Sequence, residues 1–157
     1  MNTIASEHFK QALLTVLGET FDTVRGIYLD QGTSLFETLA GISAAEASTP
    51  VGGQCATLAA QVRHTAFYLD VIERAVRTQD YSPVDWGEIW RTVGAVSDDE
   101  WTAIQAELRA SYNRIIQLIH DTPAWPGEQE IAGAIGLIAH TAYHLGEIRQ
   151  ALCTIRM

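Results

Sequence analysis

His140 and His144 stand four residues apart in the segment Ala139-His140-Thr141-Ala142-Tyr143-His144-Leu145. On a helix that spacing turns the second imidazole only about 40° from the first, so both project from one face and can grip a single metal ion. The neighbouring residues are otherwise apolar or small. Two imidazoles on a buried face leave ring nitrogens unsatisfied unless a buried group pairs with them or an ion binds. A third histidine, His64, lies in the middle of another apolar helical pattern. Together the three would form a three-imidazole site with an open coordination position, as in catalytic zinc centres. The same spacing also arises where each histidine is solvated or bonded to a backbone carbonyl, so the residues alone leave a metal site and a hydrogen-bonded network both open. His8, near the terminus, and His120, where a cationic imidazole favours the end of the third helix, stay outside the candidate site.

Spacing excludes several other chemistries. The chain contains no GxSxG, no GxG pair and no GxxxxGK[ST] phosphate loop, which removes support for acyl hydrolases of that type and for nucleotide binding. None of the eleven glutamates has a histidine three residues later, so a ferritin-like di-iron centre has no basis, and HExxH is missing as well. Ten Lys and Arg against nineteen Asp and Glu give a net charge of −9. A phosphate backbone or anionic membrane surface would be repelled over most of such a protein, so neither nucleic acid nor membrane is an expected partner. The most apolar stretch, Ile131 to Ala139, is about half the length of a membrane span, and the N-terminus lacks a secretory pattern; the expectation is a cytoplasmic protein. Cys55 and Cys153 are far apart without CxxC, and on helices they would project roughly opposite the histidine face.

The elements that must position these residues follow from apolar periodicity. Phe9, Leu13, Val16, Leu17, Phe21 and Val24 predict a first helix over about 4–28. Leu58, Val62, Phe67, Leu69, Ile72 and Val76 predict a second over about 54–79, introduced by the turn residues Pro50, Gly52 and Gly53. Ser97 and Glu100 form a capping box that opens a third helix, which runs to near Asp121, ahead of Pro123. The fourth follows Pro126-Gly127 and runs from Glu128 to about Ile155, with Arg149 and Arg156 near its cation-favouring end. The 30–53 connection carries an amphipathic piece from Leu35 to Leu39 and a capping box at Ser43 and Glu46. The 80–96 connection carries Trp86 and Trp90, which with Trp101 and Trp125 either wall a pocket mouth or pack a crossover. No segment alternates as a strand. The expected fold is all-α, a four-helix bundle with long crossover connections in a single domain spanning 1–157.

Three stretches carry a family resemblance: Gly32-Thr-Ser-Leu-Phe-Glu-Thr-Leu-Ala-Gly-Ile-Ser-Ala-Ala-Glu-Ala before the second helix, Leu58-Ala-Ala-Gln-Val-Arg-His64 on it, and His140-Thr-Ala-Tyr-His144-Leu-Gly-Glu-Ile-Arg-Gln150 on the fourth. In order and spacing the chain resembles the DinB/YfiT-like four-helix-bundle metalloproteins, and the resemblance covers nearly its whole length. It implies that His64, His140 and His144 are the metal ligands. It also implies a homodimer and a reaction class, since characterised relatives include transferases and isomerases that use low-molecular-weight thiols.

The sequence departs from the family pattern at Glu147, where glutamine is common. Glu147 shares the histidine face and is a candidate second-sphere acceptor, general base or fourth ligand, against the plainer reading of a solvated or salt-bridged glutamate. Tyr68 shares the His64 face and is a candidate pocket residue, its phenol able to hydrogen-bond a metal-bound water or a substrate, or else simply core. Gly133, Gly136 and Ala151 would leave space beside an ion or allow close helix packing. The expected function is a divalent-metal enzyme acting on a small-molecule substrate, with zinc the default ion and nickel or iron the alternatives, in the manner of a thiol-dependent S-transferase or isomerase. The rival from another class is a non-catalytic metal- or ligand-binding stress-response protein. Arg63, Arg74 and Arg149 are the candidate cations for a carboxylated thiol.

Overall fold

Capping chemistry sets where most of the helices begin. Ser97 Oγ accepts the Glu100 N–H at 3.2 Å while the Glu100 carboxylate accepts the Ser97 N–H at 2.7 Å, which satisfies two donors that a helix start leaves orphaned. Ser43 and Glu46 repeat the device at 3.3 and 2.8 Å, and Thr57 Oγ1 accepts the Ala60 N–H at 3.2 Å. The computed structural model describes residues 4–51 and 55–157. Its helices are α1 (Ser6–Phe21), α2 (Leu35–Leu39), α3 (Ala44–Ala47), α4 (Leu58–Thr78), α5 (Glu88–Thr92), α6 (Asp98–Asp121) and α7 (Glu128–Ile155). There is no strand among the described residues, so the fold is all-α.

The third and fourth expected helices appear at the expected places as α6 and α7, and the short piece from Leu35 to Leu39 is α2. The second begins at Leu58, later than the pattern predicts, with Thr57 as its N-cap. The proposed turn glycines Gly52 and Gly53 lie outside the described residues.

The first helix is the main correction, ending at Phe21 instead of near residue 28. The reason is Glu19, which is fully buried. Its Oε2 accepts the N–H groups of Arg25 and Ile27 at 2.9 and 3.0 Å, and its Oε1 those of Tyr28 and Leu29 at 2.7 and 2.8 Å. Burial alone would raise this carboxyl, but the four backbone donors outweigh it and bring the pKa from the usual 4.5 down to about 2. The chain therefore folds back over the helix end around one carboxylate, with Gly26 in the left-handed region at φ 80° easing the reversal.

α4 packs against both α6 and α7, and α1 packs against the same two helices. Leu17, Phe21, Leu58, Val62, Leu69, Leu108, Ile115, Leu145 and Ile148 fill the space between them, each nearly or wholly removed from water. Phe21 stacks on Tyr112 at 4.5 Å between ring centres, and Phe36 of α2 meets both rings. Trp101 is buried on α6 and donates its indole N–H to the Ile42 carbonyl at 2.8 Å, which fixes the α2–α3 connection to the core. Arg156 caps the end of α7 and binds Glu46 on α3 at 2.7 Å, so it ties two elements together rather than simply complementing the helix dipole.

α4 stops at Gln79, which adopts φ 57° and donates its N–H to Ala75 O at 3.0 Å. This left-handed residue turns the chain into the 80–96 crossover, where Ile89 of α5 is buried and most other side chains are exposed. No helix among the described residues is long and apolar enough to cross a membrane.

Candidate metal centre

The packing of α4 on α7 brings His64 to the pair His140 and His144. Their Nε2 atoms converge: His64 to His140 is 3.2 Å and His140 to His144 is 3.3 Å. One ligand atom from each of the three lies within 4.8 Å of the others, so these residues are close enough to hold a metal ion. Nitrogens sharing one tetrahedral ion at about 2.0–2.1 Å stand about 3.3 Å apart, which is the spacing found for both measured pairs. His64 and His144 are buried and His140 is partly so.

His144 is the best oriented of the three. Its Nδ1 lies 2.7 Å from Gln61 Oε1 and 2.9 Å from Glu147 Oε2. Both partners are acceptors, so Nδ1 carries the hydrogen and Nε2 keeps a lone pair aimed at the cluster. His64 and His140 each bury an Nδ1 with no hydrogen-bond partner. Protein hydrogen bonds alone cannot satisfy this arrangement, because His140 Nε2 is shared by both contacts. Whichever tautomers are drawn, a buried N–H stays unpaired or two lone pairs face each other. A cation at the centre would take all three Nε2 lone pairs at once and remove the clash between them, leaving the Nδ1–H groups of His64 and His140 buried without partners, so the Nε2 donor set fits an ion.

Electrostatics keeps the imidazoles neutral. Desolvation, with His144 adding repulsion, lowers His64 to about 4 despite the opposing pull of Glu147. Desolvation, reinforced by His144 and His64, lowers His140 to about 4 as well. Burial also lowers His144, against the opposing hydrogen bond to Glu147. Neutral imidazole is the form that binds a metal.

Aromatic rings enclose the cluster. Tyr68 lies flat on His140 with 3.7 Å between ring centres and 12° between planes. A Cβ added to Gly136 would stand 3.8 Å from the Tyr68 hydroxyl oxygen, so this glycine lies beneath the phenol. Trp90 covers His64 at 4.4 Å, and Trp86 stands edge-on to it at 6.3 Å. The tryptophans thus divide: Trp86 and Trp90 of the crossover reach the histidines, while Trp101 lies in the core and Trp125 packs edge-on against Phe9 at 5.0 Å.

A cleft of about 520 Å³ opens beside His144, walled by Gln61, Trp90, Tyr143 and Glu147. It continues into a second lobe toward Gln150 and Ala151. Tyr143, rather than Tyr68, lines it. Cys55 departs from the expectation most clearly. It lies in the stretch before α4, outside any helix, and its side of the chain lines both lobes near Glu147. Cys153 is exposed on α7, and both thiols are free.

Two of the candidate cations are already paired, Arg63 with Glu107 and Arg74 with Asp80. Arg149 is exposed and lines neither lobe. Sequence reasoning missed Gln61, although it precedes His64 by three residues and therefore shares its helix face. Comparison with protein-family models, curated proteins and solved structures gave no match to this chain.

Proposed function

We propose that this protein is a metal-dependent enzyme in which His64, His140 and His144 hold a divalent ion, zinc by default and nickel or iron as alternatives. The observation that carries the reading is the convergence of three neutral Nε2 atoms at 3.2 and 3.3 Å beside an open cleft. The cleft lets a small molecule reach this position, as an enzyme or a ligand-binding protein requires, and metal-dependent turnover separates the two. The order of the packed helices and the three ligand positions support placing the chain among DinB-like four-helix bundles. On that reading the reaction is a low-molecular-weight-thiol-dependent S-transfer or isomerisation, and the protein acts as a homodimer.

The bound ion would lower the pKa of a coordinated water or thiol and polarise a substrate carbonyl. The chain's own residues do the rest. Gln61 and Glu147 hold His144 in the tautomer that presents Nε2. Tyr68 and Trp90 fix the planes of His140 and His64 and keep water from their buried faces. Glu147 is the carboxylate on the cleft wall and would accept a proton from a substrate seated there.

Elemental mass spectrometry on tag-free protein tests the reading. The expected result is close to one equivalent of metal, lost in the His64→Ala, His140→Ala, His144→Ala triple variant with helical content retained. A wild-type protein that stays empty after incubation with zinc, nickel and iron would refute it. Metal without metal-dependent turnover across a panel of thiol and electrophile substrates would favour the binding-protein alternative.

A further inference from the structure

A separate cavity of about 500 Å³ lies between α1, α4, α6 and α7, at the end of the bundle away from the histidines. On α4 its wall begins at Ile72, eight residues beyond His64 and so about 12 Å farther along the helix axis. Leu13, Ile115, Ile119, Ala134 and Leu137 form its buried floor. Val76, Gln79, Tyr81, Gln129 and Glu130 stand exposed around its rim. Helix interiors normally close to the density of a crystal, whereas an open space of this size with an apolar floor and a polar rim is the form of a small-molecule site.

Two residues of the wall carry a cost that an occupant would explain. Trp125 sets its ring edge-on to Phe9, and its indole Nε1 is buried without a hydrogen-bond partner. Native folds rarely leave such a group unpaired, and because an indole only donates, what it lacks is an acceptor. Gly133 lies inside α7, where glycine weakens a helix, yet a Cβ added there would meet nothing within 4 Å. No neighbour requires a glycine at this position. Its missing side chain leaves room beside the cavity.

The lining restricts what can enter. No Lys, Arg or His lines the cavity among the described residues. A carboxylate or phosphate would lose its hydration over the apolar floor with no cation to replace it. An ammonium has no lone pair to accept the indole hydrogen, and a plain hydrocarbon would leave that donor orphaned. We infer that this cavity binds an uncharged, mainly apolar small molecule bearing a hydrogen-bond acceptor, its apolar body on Leu13, Ile115 and Leu137 and its acceptor taking the Trp125 N–H. The site shares no lining residue with the cleft beside His144, so it stands independently of the metal reading.

The test is an NMR titration of the nitrogen-labelled full chain at pH 7.5 with benzylacetone and with hydrocinnamate, which share a phenylethyl group and differ in carrying a ketone or a carboxylate. Benzylacetone is expected to shift the resonances of Ile72, Ala75, Gly133 and Ala134 while Gln61 and Glu147 stay in place. The Trp125 indole proton, identified by its loss in Trp125→Phe, is expected to move downfield as it gains a partner. The ketone should bind about tenfold more tightly than the carboxylate. Trp125→Phe keeps an aromatic ring without the donor and is expected to weaken the ketone about three- to tenfold. Gly133→Leu puts a side chain into the open space and is expected to weaken it at least about tenfold with helical content retained.

Silence of the cavity resonances with both compounds, an indole proton that does not move, or hydrocinnamate bound as tightly as benzylacetone would each overturn the inference. So would ketone affinity unchanged in Trp125→Phe or in a folded Gly133→Leu protein.

Discussion

His144 differs from His64 and His140 because its outer nitrogen is held from two directions, by Gln61 and by Glu147. A ligand pinned in this way loses little freedom on binding, and its basicity is raised by the carboxylate. Gln61→Ala leaves one of the two acceptors, so zinc affinity should fall only about threefold. Gln61→Ala with Glu147→Ala removes both, and the loss should reach about 10- to 100-fold, measured by competition with a chromogenic chelator. Additive single-variant effects would contradict a shared hydrogen. Gly136→Ala is a gentler probe: the new methyl would meet the Tyr68 oxygen at ordinary contact distance. It should raise stability by up to about 1 kcal/mol, seen as a higher Tm, with metal content unchanged. His140 and His144 were legible as a pair from spacing because a helix has a fixed period, whereas spacing could not set His64, on another helix, beside them. Gln61 was not legible, since an amide acceptor becomes meaningful only when the other helix supplies the imidazole.

Glu19 governs the end of α1 by gathering four N–H groups from the segment that follows it. Its carboxyl is depressed from 4.5 to about 2, so it stabilises the fold fully above its unfolded pKa. That contribution is lost as pH falls from about 5 through 2. Glu19→Gln cannot titrate and can accept at one oxygen only. The variant should be less stable than wild type at pH 7 and decline less steeply between pH 5 and 2, in urea unfolding at a series of pH values. Parallel pH curves would contradict this account. The capping boxes at Ser43 and Ser97 could be read directly because their partners are three residues apart. The early end of α1 could not: Val24 continues the apolar pattern, and the carboxylate that breaks it works through backbone donors six to ten residues on.

At the scale of the whole molecule, the long connections are pinned by contacts between residues far apart in sequence. Trp101 reaches from α6 to the Ile42 carbonyl, so Trp101→Phe keeps an aromatic ring but leaves that carbonyl without its partner. A loss of about 1–3 kcal/mol is expected in chemical denaturation, with the metal site unaffected. Apolar periodicity showed the four long helices because each buries one stripe. It was silent on the crossover between α4 and α6, whose side chains are mostly exposed and whose course begins at the left-handed Gln79. That course separates two kinds of heritable change. The three histidines sit on helices whose register the core enforces, whereas Trp86 and Trp90 ride on a mostly exposed strap held by Ile89, by Val93 and Val96 against the core, and by Ser48 and Thr57 at its far end. Substitutions along the strap can reshape what enters the cleft while the three histidines stay in place, so what the proposed site admits is free to diverge faster than the histidine set in descendants of this chain.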